Sequence, residues 1–351
     1  VGYSGRYTQN VEALIQLAET VCAPVLTSQV WMNFPTDHSL CAGIEQIGGS
    51  RKGNPYIADA DVILAIDYTM PYVAGDGLPK PDARIIHIDV DPLTQGRLLW
   101  ERGADLFIKA DSREAIPALD QLIRQKLTPE KRRILQSRFQ QLEFDHKKMR
   151  REWQDLAEGL AGQQPISPDW LCYCLNQAID ENTILINHTI SHSASVTEQI
   201  VRTQPGTLLG CAAGSISWAL GAALGAKLAA PEKTVVSVMT DGGFIWGCPN
   251  SVLWSAKAYH APFLTVICDN RGYGIARWLQ KKTLGVDHLT DEMAFEAGIE
   301  FTQDYALIAR GCGAYSRTVE DPAGVLPALR EALKQVRAGQ TAVLDVKLGR
   351  E

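Results

Sequence analysis

A carboxylate followed by two glycines comes directly after an apolar run of this chain. Asp241, Gly242 and Gly243 follow the run "KTVVSVMT". The carboxylate can bind a cation, and because glycine has no Cβ, the backbone N–H groups of the glycines can approach an anion closely. A lone Asp-Gly pair is most often only a turn. The stretch therefore predicts either a turn or part of a site for a charged ligand.

A second polar stretch follows the next apolar run. The run "FLTVICD" ends at Asp269 and leads into Asn270 and Gly272. The segment "CPNSVLWSAKAYHAP" between the two runs has the length of one crossover helix. The strands of such a unit are parallel, so both carboxyl ends open on the same edge of the sheet, where ligands bind in open α/β sheets. We therefore expect Asp241 and Asn270 to face one another across adjacent loops.

Together the two stretches offer oxygen ligands. Asp241 supplies a carboxylate oxygen, Asn270 an amide oxygen and Gly272 a backbone carbonyl. Such a set suits Mg²⁺, which takes few protein ligands and completes its octahedron with phosphate oxygens and water. Gly242 and Gly243 would hold a diphosphate from the other side. The occurrence of both stretches at neighbouring strand ends favours a site over two unrelated turns.

Alternating strands and helices must position these residues. The predicted strands are near-continuous apolar runs separated by amphipathic helices, a pattern typical of parallel sheets covered on both faces. They cover residues 23–28, 61–67, 84–91 and 105–111 in the first part of the chain, and 182–187, 206–210, 234–240, 263–269 and 342–348 in the second. The pattern predicts an α/β chain with two doubly wound parallel-sheet domains.

The domain boundaries follow from the segment between these two groups of strands. Residues 128–165 are charged, glutamine-rich and without a strand pattern. We therefore predict a first domain over residues 1–127, a helical connector and linker over 128–165, and a second domain over 166–351. Ser167 and Pro168 are expected to be the N-cap and the first residue of a helix.

Composition argues against several classes of protein. The 351 residues carry a net charge of −6 without a basic stripe, so we expect no nucleic-acid partner. The apolar runs are too short to cross a bilayer, so we expect no membrane role. Eight scattered cysteines without zinc-ligand spacing indicate reduced thiols and a cytoplasmic protein. A nicotinamide dehydrogenase is disfavoured because G-x-G-x-x-G follows none of the predicted strands.

Around these residues the chain resembles the thiamine-diphosphate-dependent enzymes. The stretches "TDGGF" and "CDNRGYG" are similar to the Gly-Asp-Gly and Asn-Asn motif of that family. Longer stretches are similar to the diphosphate-binding domain of benzoylformate decarboxylase and acetolactate synthase-like proteins: "GCAAGSISWALGAALGAKLAAP", "VLWSAKAYHAPFLTVICDNRGYGIARW" and "DYALIARGCGAYSRTVEDPAGVLPALREAL". Residues 1–127, with "NFPTDHSL" and "IIHIDVDP", resemble the middle domain. The resemblance implies a Rossmann-like domain followed by a thiamine-diphosphate-binding fold.

The resemblance also implies roles for individual residues. Metal ligands would be Asp241, Asn270 and the Gly272 carbonyl. The Gly214 carbonyl would accept a hydrogen bond from the aminopyrimidine, and Ile216 would bend the cofactor so that its amino group meets the thiazolium C–H. The implied cofactor contacts are Ser191, Gly214, Ser215, Ile216, Asp241, Gly242, Gly243, Asn270, Gly272, Gly274 and Ile275.

The chain departs from the family pattern in three respects. Thr240 and Asp269 stand where the family has the first Gly and the first Asn of its motif. The stretch "IDYTMPYVAG" at 66–75 lacks the flavin-associated pattern of acetolactate synthases, so we do not expect FAD. The pyrimidine-binding domain, which supplies the activating glutamate, is absent from this sequence. We expect it on the same polypeptide or on a separate subunit.

These features lead to two functional hypotheses. The first is part of a thiamine-diphosphate- and Mg²⁺-dependent 2-oxo acid decarboxylase or carboligase that forms a homodimer or homotetramer. The second is a non-catalytic paralogue or scaffold subunit that keeps the fold. His188 and His192 follow a predicted strand, and one of them could shuttle a proton. Loop histidines without such a role are commoner.

Overall fold

Apolar, β-branched runs form parallel strands in the computed structural model, which describes residues 1–44, 54–68, 78–93, 103–211, 214–289, 300 and 303–349. The chain forms two units. The first consists of Val1–Glu152 with Val201–Leu208, and the second consists of Trp153–Ile200 with Leu209–Glu351.

The first unit holds two small parallel sheets. Strands β1 (Val25–Thr27) and β2 (Cys41–Ile44) pair with one another, and β4 (Arg84–Asp89) lies between β3 (Val62–Ile66) and β5 (Leu106–Lys109). The helices are α1 (Thr8–Val21), α2 (Pro55–Ala58) and α3 (Ser112–Lys126). Leu14 and Leu17 of α1 lie on one helical face and share a buried core with Ile66 and Ile116.

One long polar helix, α4 (Pro129–Gly159), continues the chain from the first unit into the second. Its 31 residues include ion pairs one helical turn apart, such as Lys147 with Glu143 at 3.0 Å. The segment predicted as a connector is therefore helical over this range.

The second unit is built on a six-stranded sheet with the strand order β10-β11-β9-β8-β6-β7. Its strands are β6 (Ile184–His188), β7 (Leu208–Gly210), β8 (Val235–Thr240), β9 (Leu264–Asp269), β10 (Tyr315–Val319) and β11 (Ala342–Lys347). Each neighbouring pair from β10 to β6 is parallel. Its helices are α5 (Pro168–Ala178), α6 (Ser193–Gln199), α7 (Trp218–Ala229), α8 (Asp241–Trp246), α9 (Pro249–Ala258), α10 (Gly274–Leu284), α11 (Tyr305–Gly311) and α12 (Val325–Arg337). The predicted α/β class with parallel sheets is confirmed.

The central strands of this sheet are enclosed. All residues of β9 are buried, and so are all residues of β8 except the last. Such strands read as continuous apolar runs because helices cover both faces. Phe263 and Ile267 of this region pack in one core with Phe244 of α8 and Leu253 of α9. The carboxyl ends of β8 and β9 therefore rest on a well-packed framework.

The expected start of α5 is confirmed. Ser167 is its N-cap, with a side-chain oxygen that accepts the Asp169 N–H at 3.2 Å, and Pro168 is the first helical residue. Among the described residues, helices that are both long and apolar enough to cross a membrane do not occur.

Candidate functional site

The two polar stretches meet at the carboxyl ends of neighbouring strands. Strands β8 and β9 are parallel, and their register places Thr240 beside Cys268. The Gly272 N–H, from the loop after β9, donates a hydrogen bond to Asp241 Oδ2 at 3.1 Å. The expectation that the segments after β8 and β9 face one another is confirmed.

Asp241 is a buried carboxylate. Its side chain accepts the Gly242 N–H at Oδ1 (2.7 Å) and the Gly272 N–H at Oδ2. Burial raises the pKa of Asp241 to about 7, although the Gly242 N–H opposes the shift, and the charge of Asp269 adds to the rise. A buried carboxylate that is costly to ionise gains most from a bound cation.

Asn270 provides the second oxygen. It is 5% exposed, and its Oδ1 atom has no hydrogen-bond partner among the described residues. A buried polar oxygen without a partner is costly, so its presence needs an explanation. A metal ion bound between Asn270 and Asp241 would satisfy both oxygens, and the donor set fits Mg²⁺. Clusters of three or more His, Cys, Asp and Glu side chains suited to other metals do not occur in the described ranges.

The stretch expected to be a loop is the first turn of helix α8. Two glycines disfavour a helix, but Thr240 is an N-cap whose Oγ1 accepts the Gly243 N–H at 3.1 Å. The expectation of a loop at Asp241, Gly242 and Gly243 is therefore wrong. The residue that departs from the family motif has a local structural role.

Replacing Thr240 with alanine removes this cap and is expected to lower the free energy of unfolding by about 1 kcal/mol. Thr240→Ser keeps the hydroxyl and should change the free energy of unfolding by only about a few tenths of a kcal/mol. Urea unfolding of the two variants at neutral pH measures the difference. Equal losses for alanine and serine would show that the hydroxyl does not cap α8.

The loop before α7 lies against the same turn. A Cβ at Gly243 would lie 3.0 Å from Thr240 Oγ1 and 3.1 Å from the Ile216 carbonyl oxygen. Glycine is therefore needed for this close approach. Gly214, two residues before Ile216, has a φ of 67°, which also favours glycine. The structure thus brings the predicted pyrimidine loop, residues 214–216, next to the predicted diphosphate residues.

The remaining predicted contacts lie on two further elements. Ser191 lies in a 3₁₀ helix, Ile190–His192, that follows β6. Gly274 and Ile275 form the first turn of α10, and α10 contacts this 3₁₀ helix. All predicted site residues therefore lie in the second unit, on segments that follow strands β6, β7, β8 and β9.

His188 is the last residue of β6 and is 5% exposed. Its ring lies 6.5 Å from the Trp218 ring, and neither ring nitrogen has a hydrogen bond of ordinary geometry to a described residue. Burial lowers the pKa of His188, and the nearby backbone of Ser215 offsets only part of that shift. His188 is therefore held in its neutral form.

This burial predicts a pH dependence of stability. The unfolded chain binds the His188 proton at higher pH than the folded chain does, so stability is lost as the pH falls through about 6.5. Each pKa unit of difference corresponds to about 1.4 kcal/mol. Urea unfolding at pH 7.5 and pH 5.0 should show a smaller loss for His188→Leu than for the wild type. A variant of exposed His288, His288→Leu, is the control; equal losses in all three proteins would contradict the prediction.

Three residues behind the site were not identified from the sequence. Lys347 and Asp345 of β11 and Tyr305 of α11 surround Asp269. The sequence does contain a sign of this cluster: Asp345 and Lys347 are two residues apart in the apolar run "AVLDVKL" and therefore lie on the same face of the strand.

Two family models match this chain. The model of the thiamine pyrophosphate enzyme C-terminal TPP binding domain matches residues 190–346. The model of the thiamine pyrophosphate enzyme central domain matches residues 1–119. Thiamine pyrophosphate and thiamine diphosphate are the same cofactor.

Curated relatives match nearly the whole chain. A probable acetolactate synthase large subunit of Methanocaldococcus jannaschii is 26% identical over 339 residues, covering 92% of this chain and 53% of the relative. A sulfoacetaldehyde acetyltransferase of Castellaniella defragrans is 27% identical and covers 97% of this chain and 58% of its own length. The chain thus spans little more than half the length of these relatives.

Solved structures share the fold. A thiamine diphosphate-dependent 4-hydroxybenzoylformate decarboxylase of Rhodococcus jostii RHA1 matches with a TM-score of 0.73 at 22% identity, over 100% of this chain and 60% of its own. The benzoylformate decarboxylase of Polynucleobacter necessarius matches with a TM-score of 0.72 at 20% identity, over 100% of this chain and 61% of its own length. At these identities the likeness establishes the fold.

Proposed function

Because this chain belongs to the thiamine pyrophosphate enzyme family, as its resemblance predicted, we propose that it is the Mg²⁺- and thiamine-diphosphate-binding part of a 2-oxo acid decarboxylase or carboligase. One observation carries the proposal. Asp241 and the Asn270 loop meet at adjacent strand ends, and the buried Asn270 Oδ1 has no partner among the described residues. A buried carboxylate beside a buried amide oxygen without a partner in the described ranges fits a metal ion that also binds a diphosphate.

The proposed metal site uses three residues. Asp241 would bind Mg²⁺ as a carboxylate, Asn270 through its Oδ1 and Gly272 through its carbonyl. Because the Gly272 N–H already donates to Asp241, the first turn of α8 and the loop after β9 would move little on binding. Phosphate oxygens and water would complete the coordination.

The proposed cofactor site extends along the strand ends. Gly214, Ser215 and Ile216 would contact the aminopyrimidine and the bend between the rings, and Ser191, Gly274 and Ile275 would lie along the diphosphate. Gly243 supports this placement because the Ile216 carbonyl approaches it so closely. Thiamine diphosphate, when bound, supplies the electron sink for breaking or forming a bond at the carbonyl carbon of a 2-oxo acid.

The complete enzyme would need a pyrimidine-binding domain. That domain, on the same polypeptide or on a separate subunit, would supply the activating glutamate, and the assembly would be a cytoplasmic homodimer or homotetramer. The relatives named as acetolactate synthase and as sulfoacetaldehyde acetyltransferase support a carboligase or acetyl-transfer type of reaction. The two structural neighbours are decarboxylases, so the proposal includes decarboxylation as well as carboligation.

A non-catalytic role for the same fold is the second candidate. The observation that favours it is that both predicted diphosphate donors already donate within the chain, the Gly242 N–H to Asp241 Oδ1 and the Gly243 N–H to Thr240 Oγ1. In that case the chain would keep the fold and lose the cofactor.

An activity assay separates the two candidates. The full-length polypeptide, or this chain combined with its pyrimidine-binding partner, is incubated with thiamine diphosphate, Mg²⁺ and either pyruvate or benzoylformate. Release of CO₂ that requires both cofactors supports the enzyme. Absence of thiamine diphosphate binding by the folded protein, together with no release of CO₂, would favour a scaffold subunit.

A further inference from the structure

A buried ion cluster lies directly behind the candidate metal site. Lys347 Nζ is 2.5 Å from Asp269 Oδ2 and 2.9 Å from Asp345 Oδ2. Both carboxylate side chains are 1% exposed, and the register of β11 against β9 places Lys347 beside Asp269. One ammonium group therefore holds two buried carboxylates on neighbouring strands.

The other oxygen of Asp269 holds the turn that carries the candidate metal ligands. Asp269 Oδ1 accepts the Arg271 N–H at 2.9 Å. Arg271 has a φ of 59°, a left-handed conformation that a non-glycine residue keeps only when its surroundings fix it. The next residue, Gly272, then donates to Asp241. Asp269 thus sets the path of the chain from Asn270 to Gly272.

A charged residue at this position needs a counter-charge. Asp269 is buried beside Asp241, and an unpaired buried carboxylate is strongly destabilising. Burial lowers the pKa of Lys347, but its hydrogen bonds to Asp269 and Asp345 more than compensate, so the ammonium stays charged. An asparagine at 269 could accept the same Arg271 N–H without any counter-charge.

We propose that Lys347 is a positioning residue for the metal-binding turn: it neutralises and orients Asp269, and Asp269 in turn holds Asn270 and Gly272 in place. Lys347 acts through Asp269 and is not itself a metal ligand. The inference rests on the proposed function, because it concerns the affinity of the same turn for Mg²⁺.

Calorimetric titration of Mg²⁺ in the presence of excess thiamine diphosphate tests this role without any activity measurement. Lys347→Met is expected to weaken Mg²⁺ binding by about tenfold or more, which lies within the range of coupling between contacting residues. Lys347→Arg keeps the charge and should stay within about threefold of the wild type. Asp269→Asn together with Asp345→Asn in the Lys347→Met background should restore affinity to within about threefold of the same two carboxamide changes alone, because both charges that Lys347 neutralised are then gone.

The restored Mg²⁺ affinity separates a role of Lys347 in positioning the turn from a general role in the stability of the fold. Lys334→Met, which removes an exposed ion pair with Glu331 at 3.8 Å, is the matched control and should leave Mg²⁺ affinity unchanged. Lys347→Met that binds Mg²⁺ like the wild type, or a triple variant as weak as Lys347→Met, would overturn the role of Lys347 and leave the proposed function intact. If Lys347→Met does not fold, the triple variant decides: folding with binding supports the proposal, and failure to fold contradicts it. Absence of binding by the wild type would overturn both proposals.

Discussion

Replacing Asp241 with alanine is expected to weaken Mg²⁺-dependent binding of thiamine diphosphate by at least about 100-fold. Loss of a residue that only supports a metal ligand typically costs 10–100-fold in metal affinity, and loss of a ligand should cost no less. Asp241 also contacts both the first turn of α8, through the Gly242 N–H, and the loop after β9, through the Gly272 N–H. Calorimetric titration with thiamine diphosphate in the presence of Mg²⁺ measures the loss.

Two further variants define what the Asp241 result means. Asn270→Ala should also weaken binding, because the Asn270 Oδ1 is the second proposed ligand. Exposed Glu320 lies in the same unit, and Glu320→Ala should leave binding unchanged. A folded Asp241→Ala protein that binds the cofactor within about threefold of the wild type would remove Asp241 from the proposed metal site.

Replacing Phe244 with alanine is expected to lower the free energy of unfolding by about 3–5 kcal/mol. Phe244 is 0% exposed, and its ring contacts the Tyr305 ring edge-on with centroids 5.8 Å apart. It lies in α8 three residues after Asp241, so its packing fixes the helix that presents the carboxylate. Truncation removes buried apolar surface and leaves a cavity between α8 and α11.

Urea unfolding measures this loss, and an exposed aromatic residue is the control. Trp254 on α9 is 66% exposed, and Trp254→Ala should change the free energy of unfolding by less than about 1 kcal/mol. The midpoint for Phe244→Ala should move while the slope against urea stays constant. A shift no larger than that of Trp254→Ala would contradict the description of Phe244 as an anchor of α8.

Most strands could be predicted from the sequence because they are short, continuous apolar runs. Strands β2 and β10 were not predicted, and each has a physical reason. The sequence of β2, "CAGI", contains alanine and glycine, which are poor strand formers. The sequence of β10, "YSRTV", is polar because this edge strand is only partly covered.

The meeting of Asp241 with the Asn270 loop was predictable because one crossover helix forces the two strands to be parallel. The structure around the site was harder to predict from the sequence. A threonine cap outweighed two glycines in α8, although local propensity favoured a loop. The pairing of Lys347 with Asp269 joins residues distant in sequence and depends on the register of β11 against β9, which local patterns do not reveal.

Calorimetric titration of the wild-type chain with thiamine diphosphate, once with Mg²⁺ and once with EDTA, tests the central claim most directly. The account predicts saturable binding with Mg²⁺ that is abolished by EDTA. It also predicts no comparable binding of thiamine, which lacks the diphosphate. Absence of binding with Mg²⁺, or equal binding in EDTA, would contradict a metal-diphosphate site at Asp241 and Asn270.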